Sequence, residues 1–235
     1  LIFTEGYSPA GGEASVNRQL ADEALRLGRR LAAMLPREPE AHGLLALMLL
    51  QSSRFAARTG PDGAPVLLAD QDRSRWDRSA ILRGRAALRR VDALGLGRGP
   101  YALQAAIAEQ HAIAPSVAAT DWERIIVLYD LLERIAPNPV VTLNRAVAVS
   151  MAEGPAAALA IVDGIGADSA LAGSPLLPSV RAELLAQLGR REEAREQFDQ
   201  AIALVGNAAQ RAVLEAKRRD LAVTVDTPRR DHFPR

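Results

Sequence analysis

Apolar residues recur at helical spacing along nearly the whole chain, and the recurrence is cut at short intervals by Pro, Gly and Asn. This punctuation constrains the fold most, because a stripe of period 3.6 cannot be laid onto one face of a strand. The spacing predicts helices over residues 16–35, 39–57, 74–94, 100–114, 120–136, 139–152, 155–165, 176–188, 191–205 and 207–221. The class is therefore all-α, with about ten helices. In the first, Leu20, Ala24, Leu27, Leu31 and Leu35 fall on one stripe, and Pro36 ends it. Pro39 suits the first turn of the second, with Glu40 placed at the positive end of the helix dipole. In the third, Ser74 and Asp77 are spaced as a capping pair, and Trp76, Ile81, Leu82, Leu88 and Val91 share a face. One long irregular loop near residues 58–73 interrupts the series. Its Gly60-Pro61-Asp62-Gly63 run reads as turns, and Val66-Leu67-Leu68 as a short extended or hairpin segment.

The breaks are also periodic. Pro36 and Pro137 lie 101 residues apart and Pro137 and Gly206 lie 69 apart, close to three and two periods of about 34 residues. Within the clearest copy, Leu188-Gly189-Arg190-Arg191-Glu192-Glu193-Ala194 is followed by Phe198, Ala201 and Gly206. Small alanines there let two helices approach closely, and the aromatic ring fills the gap between turns. Tyr129 and Pro137 repeat the spacing of Phe198 and Gly206, so residues 121–137 read as the second helix of another unit. Residues 24–36 and 156–165 are weaker copies. Period and pattern are those of tetratricopeptide repeats, which predicts a superhelix of helical hairpins over residues 1–222, followed by a loose tail at 223–235.

Composition narrows the function. The 29 Lys and Arg against 28 Asp and Glu leave a net charge of +1, which argues against a strongly electrostatic nucleic-acid binder. No cysteine is present, so there is no disulfide framework and no thiolate chemistry, and the cytoplasm is the default location. No apolar run reaches the length of a membrane helix. The chain opens on Leu1-Ile2-Phe3-Thr4 without Met or a signal-peptide pattern, and so reads as part of a longer protein.

The densest polar stretch is Asp70-Gln71-Asp72-Arg73-Ser74-Arg75-Trp76-Asp77, where the long loop meets a helix. Arg forks take carboxylate or phosphate bidentately and Trp anchors interfaces, which makes Asp70, Asp72, Arg73, Arg75 and Trp76 candidate interaction residues. The competing reading is a capped helix start with local ion pairs and Trp76 in the core. Asn144 and Arg145 form a polar pair inside an apolar helix, fit either to line the groove of a helical repeat array or to bond a neighbouring helix end. Glu109 and His111 share no helix face, and His42 and His232 are the other imidazoles, so neither a catalytic triad nor a metal site is expected. Gly95-Leu96-Gly97-Arg98-Gly99 follows a helix rather than a strand and reads as a linker. Lys217-Arg218-Arg219 and Arg229-Arg230 read as solvated charges. No catalytic residue, cofactor or metal is expected.

Several strings carry a resemblance: Leu1-Ile2-Phe3-Thr4-Glu5-Gly6-Tyr7, residues 44–50, residues 70–77, Gly99-Pro100-Tyr101 with the Gln104-Ala105-Ala106 that follows, and Asn138-Pro139-Val140-Val141 running into Leu143-Asn144-Arg145-Ala146-Val147-Ala148. Up to about Leu221, the chain resembles the tetratricopeptide-type C-terminal extension of extracytoplasmic function (ECF) type RNA polymerase sigma factors. Thr4 stands where an Asn is frequent. The resemblance implies sigma domains preceding Leu1 and promoter DNA read only by them. It implies for this segment a non-catalytic, regulatory role, with its own sigma domains or core RNA polymerase as partners and no membrane. Two other classes stay open: a small-molecule sensor or enzyme with a polar pocket between the Asp70 loop and residues 109–122, and a generic peptide-binding scaffold.

Overall fold

The computed structural model describes residues 18–61, 66–165, 170–206 and 208–223. The opening string, the start of the first helix at Val16, the tip of the long loop, Asn207 and the tail from residue 224, with Arg229-Arg230, lie outside the described residues. The chain forms α1 (Arg18–Met34) and α2 (Pro39–Ser52), then three 3-10 turns at Phe55–Ala57, Leu68–Asp70 and Arg73–Arg75. The helices α3 (Arg78–Ala93), α4 (Pro100–Ile113), α5 (Trp122–Ile135), α6 (Pro139–Glu153), α7 (Pro155–Asp163), α8 (Leu176–Gln187), α9 (Arg191–Leu204) and α10 (Ala208–Val223) follow. No strand occurs among the described residues. From residue 100 onward the helix bounds agree with the sequence expectation to within two residues.

Local chemistry sets the ends. Asp121 accepts from the Arg124 amide at 2.8 Å to start α5, and Asn138 accepts from the Val140 amide at 2.8 Å ahead of Pro139 to start α6. Gly154, at φ +99°, ends α6 and turns the chain directly into α7, a backbone state that residues with a Cβ avoid. Gly95 and Gly97 also take positive φ in the α3–α4 linker.

Several expectations in the first part of the chain are corrected. The second helix stops at Ser52 rather than near Ala57, and Ser53 turns its hydroxyl back onto the Leu50 carbonyl at 2.7 Å. The third starts at Arg78, not Ser74: Asp72 caps the 3-10 turn Arg73–Arg75, while Asp77 caps α3 by accepting from the Ala80 amide at 2.9 Å. These two caps begin separate elements, so Trp76 lies in the extended step between them. In α1 the buried positions include Ala21, Ala24, Leu25 and Ala32, whereas Leu20, Leu27, Leu31 and, just past the helix end, Leu35 are exposed. The small residues of that helix with Leu25, not the other leucines, make the close approach to α2. Of the short extended or hairpin segment expected at residues 66–68, Leu67 is extended and the Val66 amide donates to the Arg58 carbonyl at 2.8 Å, while Leu68 already begins a 3-10 turn.

Each helix packs on its neighbours in sequence, and in addition α2 packs on α4 and α6 on α8. Gly43 makes the first of these contacts possible, since a Cβ there would stand 2.7 Å from the Ala102 backbone nitrogen. Buried residues form successive local clusters rather than one centre. Leu49 joins α2 to α1; Leu50, Leu88 and Ala105 join α2, α3 and α4; Ile107, Leu128 and Ala148 join α4, α5 and α6. Farther along, Ala182, Phe198 and Leu214 join α8, α9 and α10. This nearest-neighbour core is the signature of a stacked repeat. In α9, Phe198 is 2% exposed between the fully buried Ala194 and Ala201, as the repeat pattern requires.

Candidate functional site

The phase of the repeat decides which helices face inward. With α9 and α5 as second helices of their units, the first helices are α2, α4, α6 and α8. These four line two adjoining cavities. The larger, about 440 Å³, lies between α2, α4, α5 and α6 and is bordered by Gln51, Gln104, Tyr129, Asn138 and Asn144. The smaller, about 270 Å³, lies between α4, α5, α6 and α8 and is bordered mainly by apolar groups, among them Trp122, Val147, Met151 and Val180. Leu68 and His111 border both. Leu68 comes from the long loop, so that loop reaches into the groove and divides it.

The loop is held by buried side chains. Trp76 is 4% exposed, with the Arg73 guanidinium 4.8 Å and that of Arg54 6.0 Å from its ring centre. Arg73 donates through Nη1 to the main-chain oxygens of His111 and, at 2.8 Å, Ala114. Gln71 is buried and donates to the Val66 carbonyl at 3.1 Å, and the Asp77 amide donates to the Ser53 carbonyl at 2.8 Å. Asp72 accepts from the hydroxyl and amide of Ser74, which hold its carboxyl below the ordinary range. The five loop candidates therefore separate. Trp76 is buried, as the competing reading had it, and anchors its own loop, Arg73 ties that loop to α4, and Asp70, Asp72 and Arg75 are exposed.

Asn144 and Arg145 separate likewise. The Asn144 side chain lines the larger cavity and makes no hydrogen bond among the described residues. Arg145 donates through Nε to Asp130 at 2.5 Å, tying α6 to α5. The seven candidates thus do not converge on one site. Sequence reasoning missed the other amides of the groove: Gln51 on α2, Gln104 on α4 and Gln187 on α8 line it as Asn144 does on α6. In sequence these amides are not set apart from the other polar residues of their helices, such as Glu109 and Gln110 on α4 or Arg181 and Glu183 on α8.

Few charges border the groove: Arg54 lines the larger cavity, and Arg73 and Glu183 line the smaller. Burial, reinforced by the charges of Arg54 and Arg73, lowers the His111 imidazole to about 4, so it is uncharged at neutral pH. Its ring meets Trp122 edge-on, with centroids 5.3 Å apart. Burial raises the Tyr129 phenol to about 12. No carboxylate lines the larger cavity; Glu183, at the rim of the smaller one, is paired with Lys217. Glu109 points elsewhere and pairs with Arg85 at 2.8 Å. A pocket does lie between the Asp70 loop and residues 109–122, but its lining is apolar rather than polar, and Asp70 and Asp72 are not part of it. No cluster of three or more His, Asp or Glu among the described residues is placed to hold a metal ion, and no described helix is long and apolar enough to cross a membrane.

This architecture is a tetratricopeptide-like helical array. It is similar to the crystal structure of a thermophilic TPR protein of Thermus thermophilus, with a TM-score of 0.53 and 20% identity, over 88% of this chain and 92% of that one. Residues 1–92 match the model of a family of unknown function, DUF6596. An uncharacterised protein of Rhizobium meliloti (strain 1021) is 50% identical over 224 residues. That alignment takes in 94% of this chain and 52% of the relative, so the chain spans about half the length of the curated relative it matches.

Proposed function

We propose that this chain is a non-catalytic protein-interaction scaffold that holds a segment of a partner protein in the groove between α2, α4, α6 and α8. The observation that carries this reading is the groove itself: successive first helices of a repeat array face one shared channel. Repeat arrays present such inner surfaces to extended partners.

Within that reading, the segment serves as the regulatory extension of a bacterial ECF-type sigma factor, working in the cytoplasm during transcription initiation. The strings at residues 70–77 and 143–148 support this, as does a relative of about twice the length, which leaves room for promoter-reading domains. The partners are then the sigma domains of the same polypeptide or core RNA polymerase. Calorimetric titration of the chain against each, together with transcription from the full-length factor with and without this segment, tests the assignment. Binding to either partner and altered transcription on deletion are expected. No binding to both, with transcription unchanged, would refute the sigma assignment.

A further inference from the structure

We propose that a cleft outside the groove is a second docking surface, which takes an acidic amphipathic helix of a partner protein; the inference does not depend on what the groove holds. The cleft, about 520 Å³, lies between the end of α3, the linker that follows it, α4 and α5, and it shares no lining residue with either groove cavity. Arg124, Leu128, Leu131 and Ile135 line it from α5 in steps of four, three and four residues, which sets them on one face of that helix. Leu103 and Leu128 are its buried floor, whereas Leu131 and Ile135 remain 41% and 51% exposed in the folded array. Val127, one turn before Leu131, extends the uncovered apolar stripe.

Three guanidiniums and one carboxylate border this apolar surface, and they are not equivalent. Arg98 donates to both oxygens of Asp92, at 2.8 and 2.9 Å, so that pair is balanced. Arg124 and Arg134 are exposed and make no ion pair among the described residues, which leaves two positive charges unmatched. Arg134, in the last turn of α5, suits the negative end of the helix dipole. Arg124 stands in the first turn, at the positive end, where a cation is unfavourable. Helix stability therefore does not account for it, and an anionic ligand does.

The spacing of the charges selects that ligand. Arg124 and Arg134 are separated by about 15 Å of helix rise, farther than one anionic head group reaches. A ligand that meets both carries acidic groups spread along its length. A sugar–phosphate strand has such groups but no apolar ones to cover Leu131 and Ile135 between them. An extended peptide would press unpaired N–H and C=O groups against those side chains, whereas a helix has already paired its own. A helix with one apolar face flanked by Asp or Glu complements both the floor and the rim.

The test is calorimetric titration of the whole chain with two synthetic helical peptides that share one apolar face, the first flanked by Glu and the second by Lys. The Glu peptide is expected to bind and the Lys peptide not to. Combined Arg124→Glu and Arg134→Glu should weaken the Glu peptide about tenfold or more and admit the Lys peptide. Because both arginines are exposed and unpaired among the described residues, the melting curve of the double variant should match that of the parent. Equal binding of both peptides to the parent, Glu-peptide binding unchanged by the charge reversal, or no binding of either would overturn the inference. So would self-association of the chain, or binding to vesicles of anionic phospholipid, that depends on the two arginines and occurs in place of peptide binding. None of these outcomes bears on the groove.

Discussion

Arg73 spans from the long loop to the last turn of α4, where its guanidinium donates to the main-chain oxygen of His111. Together with the second bond to Ala114, this ties an irregular segment to the rim of the groove it divides. Replacing Arg73 by Ala removes charge-assisted bonds from a half-buried site and should cost about 1.5 to 3 kcal/mol. Trp76→Ala should cost more, about 3 to 5 kcal/mol, because it empties a buried aromatic site. Asp70→Ala and Arg75→Ala, both exposed, should stay within about 0.5 kcal/mol of the parent. Urea unfolding of the four variants checks the order; a Trp76→Ala variant as stable as the parent would show that the ring does not anchor the loop.

The His111 imidazole gives the fold a pH dependence of defined sign. Its folded value, near 4, lies below the ordinary 6.5, so between these values the unfolded chain binds the extra proton. The contribution is complete above about pH 6.5 and is lost as pH falls towards 4, with a total loss of about 1 to 3 kcal/mol. Unfolding free energies of the parent and His111→Gln, measured across that window, should show the steeper loss in the parent. Parallel curves would place the imidazole in a solvated environment.

Glu40 provides a cap that is invisible from its own helix. It stands in the first turn of α2, as expected, but its carboxylate accepts from the amides of Tyr101 at 2.7 Å and Ala102 at 3.1 Å, at the start of α4. Glu40→Ala is expected to cost about 0.5 to 2 kcal/mol, as lost caps do, and to speed amide exchange in the first turn of α4. Exchange unchanged at Tyr101 and Ala102 would contradict the capping role.

The approach of α2 to α4 gives a strict packing test. A methyl group at Gly43 meets the backbone of Ala102, which has no side-chain freedom to yield, so Gly43→Ala should lower stability by about 1 to 3 kcal/mol despite the better helix propensity of alanine. A raised melting temperature would show that α2 and α4 are not in such contact.

Helix positions were legible from residue 100 onward because Pro, Asn and Gly punctuate the chain there, and the Ala194, Phe198 and Ala201 step fixed the phase of the repeat. The long loop was not legible, since its anchors act across sequence: Trp76 under Arg54, Arg73 on α4, Asp77 on Ser53. The leucines of α1 misled because periodicity marks an apolar stripe without saying whether a neighbour covers it. Asn144 stood out as polar in an apolar helix, while the meaning of Gln51, Gln104 and Gln187 emerged only once α2, α4, α6 and α8 were brought to one groove.

The most direct measurement of the central claim is amide hydrogen exchange of the chain with and without a groove peptide selected from a random library. Protection concentrated on α2, α4, α6 and α8, with the outer helices α3, α7 and α9 unchanged, is the expected result. Protection confined to those outer helices would contradict the account.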